Sequence, residues 1–278
     1  MYNKENTSKL ISYWLRHNPS DANLTVDEFG WASLNDLLDA LKLRGHELTY
    51  PDIHELNQSF DKVRWEFDET LDTIRATHGH SIPIVLEDMN TDPPAILFHG
   101  TSSKKLGDIL NIGLLPMQRQ FVHLSATIES AVEVGKRHGK PILIEIDTFA
   151  LIKDGGKFYQ TTNNVWLAPK VPVEYLSFVP WQVVTEEEKG GLLRQLNSEL
   201  TKKHILYDKV GNLELILRRH DCDDALFIDK TTRHVYSVHL TWQGKQYFPN
   251  CPFTEQYNSL IDWAEDELIE TQKDCYNF

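Results

Sequence analysis

Residues 99–125, HGTSSKKLGDILNIGLLPMQRQFVHLS, are the stretch around which this chain is organised. Two strand-like runs, Ile96-Leu97-Phe98 and Phe121-Val122, each end in a histidine, His99 and His123. Each histidine is followed within two residues by a hydroxyl side chain, Thr101 and Ser125. Between them a short helical pattern carrying Leu106, Ile109 and Leu110 stops at Gly113. Gly100 permits close backbone approach and Arg119 supplies one forked cation. Two edges thus deliver imidazole and hydroxyl groups around a guanidinium, which suits an anionic, sugar-containing ligand. A single histidine at a strand end is more often a structural residue, and it is the pair that points to a site.

The length of 278 residues predicts two or three domains, and 41% hydrophobic with 25% charged residues is ordinary for a globular chain. No stretch approaches the ~18 to 20 uninterrupted apolar residues of a membrane span. The polar start MYNKENTSK lacks the apolar core of a secretory signal, so a cytoplasmic protein is expected, with a monomer as the expected state. Cys222, Cys251 and Cys275 have no metal-ligand spacing and make a poor disulfide framework, and they read as structural thiols.

The net charge of −13 opposes tight non-specific nucleic-acid binding, because that affinity comes from Lys and Arg neutralising phosphates. Residues 93–180 alone are positive, with 9 Lys/Arg against 7 Asp/Glu, whereas residues 1–92 hold 8 against 17 and residues 181–278 hold 11 against 17. An anionic ligand would therefore be held by a few positioned cations, not by a basic surface.

In chain order, Thr7 or Ser8 is placed to cap a first helix with Leu10, Ile11, Trp14 and Leu15 at helical spacing, ended by Asn18-Pro19. Arg16 and His17 fall in its last turn, where cations complement the helix terminus whether or not they bind a ligand. Ser33 caps a second helix that ends at Gly45, and Thr49-Tyr50-Pro51 opens a third. Val63, Trp65 and Phe67 alternate with Arg64, Glu66 and Asp68 as a half-buried strand that turns Arg64 away from the core, and Thr73–Ala76 is its return strand. Three short helices followed by a hairpin is the order of a winged-helix module. The acidic, proline-containing Glu87–Pro94 reads as a linker.

Beyond it a helix from about Thr127 reaches Lys136-Arg137-His138-Gly139, where Arg137 either balances the helix dipole or touches a ligand. Strands are expected at Ile142–Asp147, Asn164–Leu167 and Val173–Phe178, making an α+β domain. Thr185–Glu188 fits a capping box for a helix with Leu192, Leu193, Leu196 and Leu200 on one face. Strands at Leu213–Leu217, Ala225–Ile228 and Val235–Trp242 and a closing helix from Leu260 to Ile269 complete a third, small α+β domain. His220-Asp-Cys-Asp-Asp224 reads as a polar turn and not as a metal site, since adjacent residues cannot all face one ion. The domains expected are thus 1–90, 93–180 and 183–278. No GxGxxG, Walker loop or nucleophile-elbow serine is present in the sequence.

Taken together, Leu15-Arg16-His17, Gly30-Trp31, Arg64, Ile74-Arg75-Ala76, Gly79-His80-Ser81, His99-Gly100-Thr101, Gly113-Leu114, Arg119, Val122-His-Leu-Ser125, Val134-Gly135, Arg137-His138-Gly139 and Val165-Trp166-Leu167 resemble the RNA 2′-phosphotransferase (KptA-type) family over about residues 7–178. The resemblance implies an N-terminal winged-helix RNA lobe and an ADP-ribosyltransferase-like lobe that binds NAD⁺. It implies a reaction in which an internal RNA 2′-monophosphate, as at a tRNA splice junction, is transferred to NAD⁺, consumed as co-substrate with no metal. Nicotinamide leaves first, through an ADP-ribosylated RNA intermediate, and 2′-OH RNA and ADP-ribose 1″,2″-cyclic phosphate follow.

By the same resemblance the catalytic set is Arg16, His17, Arg64 and Arg119, three from the RNA lobe and one from the NAD⁺ lobe, with the phosphate between them. Forked guanidinium donors suit both the phosphate dianion and the charge spread over its oxygens in transfer. His99, Gly100, Thr101, His123 and Ser125 correspond to NAD⁺-binding positions, with Gly113 and Arg137 as weaker matches. Val165 stands where glutamate-dependent ADP-ribosyltransferases carry their glutamate, which disfavours protein ADP-ribosylation. His78 replaces a usual glutamine, bearing on RNA contacts. Asn164 replaces a usual glycine, at a position suited to a left-handed backbone. Residues 183–278 lie outside the family core, and a binding or docking role is expected for them. The alternatives are an NAD⁺-dependent enzyme capping terminal phosphates of nucleic acids and a non-catalytic RNA- or protein-binding module.

Overall fold

The computed structural model describes residues 3–60, 63–86, 92–161, 163–246, 248 and 250–278. Most of the expected linker, residues 87–91, lies outside them. The chain begins with α1 (Lys4–Arg16), β1 (Ala32–Ser33), α2 (Leu34–Leu43), α3 (Tyr50–Gln58), β2 (Trp65–Asp68) and β3 (Thr73–Ala76). It continues with β4 (Ile96–Ser102), α4 (Leu106–Ile112), β5 (Val122–Ser125), α5 (Ile128–Lys136), β6 (Pro141–Asp147), α6 (Thr148–Lys153), β7 (Tyr159–Gln160) and β8 (Val165–Ala168). It ends with β9 (Leu176–Phe178), β10 (Trp181–Val183), α7 (Glu186–Glu199), β11 (Leu213–Arg219), β12 (Asp224–Asp229), β13 (Val235–His239), β14 (Phe253–Tyr257), α8 (Leu260–Trp263), a π-helical turn at Ala264–Leu268 and α9 (Ile269–Tyr276). Helices and an extensive antiparallel sheet make the fold α+β. Among the described residues no helix is long and apolar enough to cross a membrane.

Two compact units divide these elements. One comprises residues 1–93, 115–123 and 157–170, and the other 94–114, 124–156 and 171–278. In the first unit, β1, β3 and β2 form a small antiparallel sheet in that order, and β7 pairs with β8. Its core is the apolar face of α1 (Ile11, Trp14, Leu15) against Leu37, Leu41, Ile53, Leu56, Trp65 and Ile74, all essentially inaccessible to solvent. α1 starts at an Asn3 cap, whose side chain accepts from the Asn6 N–H, earlier than the expected Thr7 or Ser8. Those two small residues lie on the buried face of the helix, where burial overrides their capping preference. Ser33 caps α2, and Thr49 with Asp52 forms a capping box on α3. Val63 lies outside β2 and is exposed, against the strand expected to begin there.

In the second unit the strands run β14-β13-β12-β11-β10-β9-β6-β4-β5, every neighbour antiparallel, with β5 contributing Leu124 and Ser125. Residues 171–278 thus extend the sheet that contains β4. The Thr185–Glu188 capping box starts α7, and Leu196 and Leu200 bury its face against Leu215, Phe227 and Tyr236. Val173–Tyr175 forms a 3₁₀ turn in place of the expected strand start, since Pro172 leads directly into it. The strand expected to reach Trp242 stops at His239, and Trp242 has a left-handed backbone (φ 57°).

Candidate active site

The last turn of α1 delivers Arg16 and His17 because Trp14 and Leu15 fix the helix in the first unit's core. The Arg16 carbonyl accepts from the Ser81 N–H (2.9 Å) and the Ile82 N–H (3.3 Å), tying the 78–82 loop to the helix end. His17 Nδ1 lies 3.0 Å from Ser81 Oγ. The third segment arrives through Gln120: its N–H donates to the His80 carbonyl (2.9 Å), and its carboxamide bonds the Ile84 N–H (3.0 Å) and carbonyl (2.6 Å). Arg119, one residue earlier, then lines a cleft together with Arg16, His17, His78, Ser81 and Gln118. Among the described lining residues none is acidic.

Arg64 is placed differently. Its guanidinium donates to the buried Ser8 Oγ (2.8 Å) and lies 4.2 Å from the Phe60 ring centroid, and it is not among the residues lining the cleft. Its backbone is held on both sides. The buried Asn57 accepts from the Arg64 and Trp65 N–H groups (2.9 and 3.2 Å) and donates to the Trp65 carbonyl (2.8 Å). The Arg64 carbonyl accepts from the Thr77 N–H (3.1 Å) and from Arg16 Nη2 (3.4 Å). Asn163 donates to the Val63 carbonyl (2.5 Å) and to Thr77 Oγ1 (3.2 Å). Asn164, next in the chain, takes the left-handed backbone its replacement of glycine called for (φ 55°).

Electrostatics in this unit disfavour further positive charge. Burial, with the charges of Arg64 and Arg119, pushes the Arg16 pKa down to about 10. Burial lowers that of Arg119, and burial with Arg16 and Arg119 lowers that of His17. An entering dianion would relieve all three. A neighbouring pocket shares His78 and Gly79 and is lined also by His80, Phe121, His123 and Tyr159. His123 Nδ1 donates to the Phe121 carbonyl (3.1 Å), and burial followed by Arg119 and His78 depresses its pKa to about 3. Burial, then Arg16, His17 and Arg75, pushes His80 to about 4, and its buried Nε2 has no hydrogen-bond partner among the described residues.

In the second unit, His99, Gly100 and Thr101 sit within β4, opposite Ile144, Leu143 and Ile142 of β6, so the strand continues through the histidine instead of ending there. A Cβ on Gly100 would lie 1.7 Å from the Ala131 carbonyl oxygen of α5, so β4 and α5 pack closely only with glycine here. Side chains alternate across a strand, which turns His99 and Thr101 to the face away from α5. Ser125 pairs with Phe98. Gly113 ends α4 at φ 76°, where a Cβ would lie 2.3 Å from the Val171 carbonyl, which identifies its structural task. Arg137 is the exposed C-cap of α5.

The structure therefore gathers Arg16, His17 and Arg119 on one cleft of the first unit, sets Arg64 beside Ser8, and puts His123 in the adjoining pocket. His99, Gly100, Thr101, Gly113, Ser125 and Arg137 belong to the second unit. Asn57, Thr77 and Asn163, which hold the Arg64 backbone, were not legible in the sequence. A buried asparagine carries no local signature of the distant peptide it bonds.

Comparison with known proteins bears on the same region. A family model for "RNA 2'-phosphotransferase, Tpt1 / KptA family" matches residues 2–170. A protein of Acaryochloris marina named "Probable RNA 2'-phosphotransferase" is 43% identical over 168 residues, 60% of this chain and 93% of the relative. One of the same name from Fusobacterium nucleatum is 42% identical over 179 residues, 64% of this chain and all of the relative. The matched region carries the cleft, its tethering loop and both histidine strands, and the chain belongs to the Tpt1/KptA RNA 2′-phosphotransferase family.

Proposed function

We propose that the protein is an NAD⁺-dependent RNA 2′-phosphotransferase acting on an internal 2′-monophosphate, with the first unit's helices and hairpin as a winged-helix RNA lobe and the β4 region as an ADP-ribosyltransferase-like lobe. The observation that carries this reading is the convergence of Arg16, His17 and Arg119 on one cleft with no carboxylate among its described lining residues. Three groups disfavoured as cations and pointed at one volume form a receptor for a compact anion, and forked donors match phosphate oxygens. The same grouping suits a transition state whose charge spreads over those oxygens.

The donor chemistry of the second unit fits a dinucleotide, since an imidazole and a hydroxyl on one face of β4 match ribose hydroxyls. His99, Thr101 and Ser125 would hold NAD⁺, with His123 beside them in role. Bound NAD⁺ would supply the phosphate acceptor: the 2′-phosphate displaces nicotinamide from the ribose carbon, and the ribose 2″-hydroxyl then takes the phosphoryl group, freeing 2′-OH RNA and ADP-ribose 1″,2″-cyclic phosphate. Arg16 and Arg64 orient the RNA phosphate, Arg64 through small movement of its guanidinium from Ser8. His17, whose lowered pKa favours the neutral imidazole, donates a hydrogen bond to the phosphate, or accepts the proton that the ribose 2″-hydroxyl loses as it attacks and passes it to the departing 2′-oxygen. Arg119 stabilises the charge of the second step.

The test is incubation of the full chain with NAD⁺ and an RNA bearing one internal 2′-phosphate. Equal yields of nicotinamide and 2′-OH RNA are expected. No phosphate removal refutes the reading, and labelling of a 5′-phosphorylated strand instead assigns the enzyme to terminal capping. In the Arg119→Ala variant, nicotinamide release is expected to persist while 2′-OH RNA formation falls about a hundredfold or more.

A further inference from the structure

The family match ends at residue 170, yet residues 265–278 are attached to β4 and β6. β6 pairs with β4 along its whole length, but among the described residues its other edge meets β9 only at Glu145 and Ile146. At Leu143, directly opposite Gly100, both backbone polar groups are bonded by one side chain: the Leu143 N–H donates to Gln272 Oε1 (3.0 Å) and Gln272 Nε2 donates to the Leu143 carbonyl (2.7 Å). Gln272 is fully buried. Its carboxamide stands in for one residue of a strand neighbour, satisfying both buried backbone groups of Leu143.

Other contacts of the same segment converge on these strands. Tyr276 donates to Glu145 Oε1 (2.6 Å), and Tyr276 and Phe278, like Phe98, pack against the buried cluster of Ala131, Val132 and Leu143. Glu265, on the π-helical turn, accepts from Ser103 Oγ (2.8 Å) and pairs with Lys140 (2.9 Å). Ser103, two residues beyond Thr101, is thereby bonded to the π-helical turn, and Phe98, which precedes His99, shares a buried cluster with Tyr276 and Phe278.

We propose that Gln272 is a positioning residue for the His99–Thr101 strand, and that residues 171–278 are a brace of the NAD⁺ lobe. This rests on the reading of β4 as the NAD⁺-binding strand. Because β4 is trapped between α5, which tolerates nothing larger than Gly100, and β6, whose outer edge Gln272 completes, a slack Leu143 peptide is transmitted to His99 and Thr101. The brace sets the affinity for NAD⁺ and leaves the arginine cleft unaltered.

The experiment uses the full chain and the isosteric Gln272→Met variant, with Tyr276→Phe as a milder one, each verified folded by its thermal melt. Hydrogen exchange of the 96–102 and 141–146 amides and NAD⁺ titration are measured on the same samples, followed by steady-state kinetics with 2′-phosphorylated RNA. Faster exchange in both segments is expected for Gln272→Met, with an NAD⁺ Kd and KM about tenfold higher, and with KM for RNA and kcat at saturating NAD⁺ within about twofold of wild type. Tyr276→Phe should shift the NAD⁺ KM in the same direction, by about twofold. Unchanged NAD⁺ affinity in Gln272→Met, or an equal fall in every kinetic parameter, overturns the positioning role. A wild-type chain that binds no NAD⁺ overturns the reading of β4 and this inference with it.

Discussion

Asn57 and Gln272 perform the same task in the two units over very different sequence distances. Each is a buried primary amide that accepts from one strand's N–H and donates to its carbonyl, in place of a backbone neighbour. Asn57 bonds residues 7 and 8 positions away, whereas Gln272 reaches 129 positions back to Leu143. A short loop closes at low entropic cost, so the Arg64 and Trp65 N–H groups find this partner close by in the chain. The Arg64–Trp65 peptide is thus bonded by a side chain from the preceding helix, and Leu143 of β6 by a side chain outside the matched family region.

The substitution that breaks this comparison most severely is Gly100→Ala. It forces a carbon to 1.7 Å from a backbone oxygen, and the neighbour is a helix carbonyl with no rotamer to yield. A loss of about 4 kcal/mol or more is expected, seen as insoluble expression or a collapsed melting transition. A soluble Gly100→Ala chain with an unchanged melt would mean that α5 moves freely and that β4 needs no brace.

Asn57→Ala comes next, because it strips partners from the N–H groups of Arg64 and Trp65 and from the Trp65 carbonyl. We expect about 2–3 kcal/mol of destabilisation in urea unfolding. A double-mutant cycle sharpens the comparison: if Asn57 acts through Arg64, Asn57→Ala should cost little further activity in an Arg64→Ala background. Fully additive losses would show a general lesion. Gln272→Met leaves only the two groups of Leu143 unpaired, and its stability cost should be the smaller, about 2 kcal/mol.

The same contrast explains what the sequence disclosed. Ser33 with Asp36, Thr49 with Asp52 and Thr185 with Glu188 are contacts within one helical turn, and each was readable as a cap. The apolar spacing of Ile11, Trp14 and Leu15 likewise located α1 and with it Arg16 and His17. Phe253–Tyr257 escaped notice because an edge strand with one paired side carries exposed Phe253 and polar Thr254, Glu255 and Gln256, without a buried face to set an alternation. Trp181–Val183 is too short for any period to register. In the candidate site, residue types were legible but partners were not. Nothing in the sequence places Arg64 on Ser8, and nothing near Gln272 announces Leu143.

Acid should also separate the units. In the first, His17, His80 and His123 all have depressed pKa values, His80 to about 4 and His123 to about 3, chiefly through burial. A histidine held below its ordinary value binds its proton more readily in the unfolded chain. Its stabilising share is complete above about pH 6.5 and drains away as the pH falls toward the folded value. For the buried His80 this amounts to at most about 1.4 kcal/mol per pH unit. In the second unit the depressed His204 is opposed by Glu267, whose burial raises its pKa and which therefore stabilises as it takes up a proton. Hydrogen exchange, corrected for intrinsic pH dependence, should show protection of the α1 amides falling between pH 6.5 and 4.5 while that of the β6 amides changes less. His80→Gln should flatten the α1 slope, because an amide in that place has no proton to gain. Equal slopes in the two segments, or an α1 slope unmoved by His80→Gln, would locate the acid sensitivity in surface carboxylates common to both units.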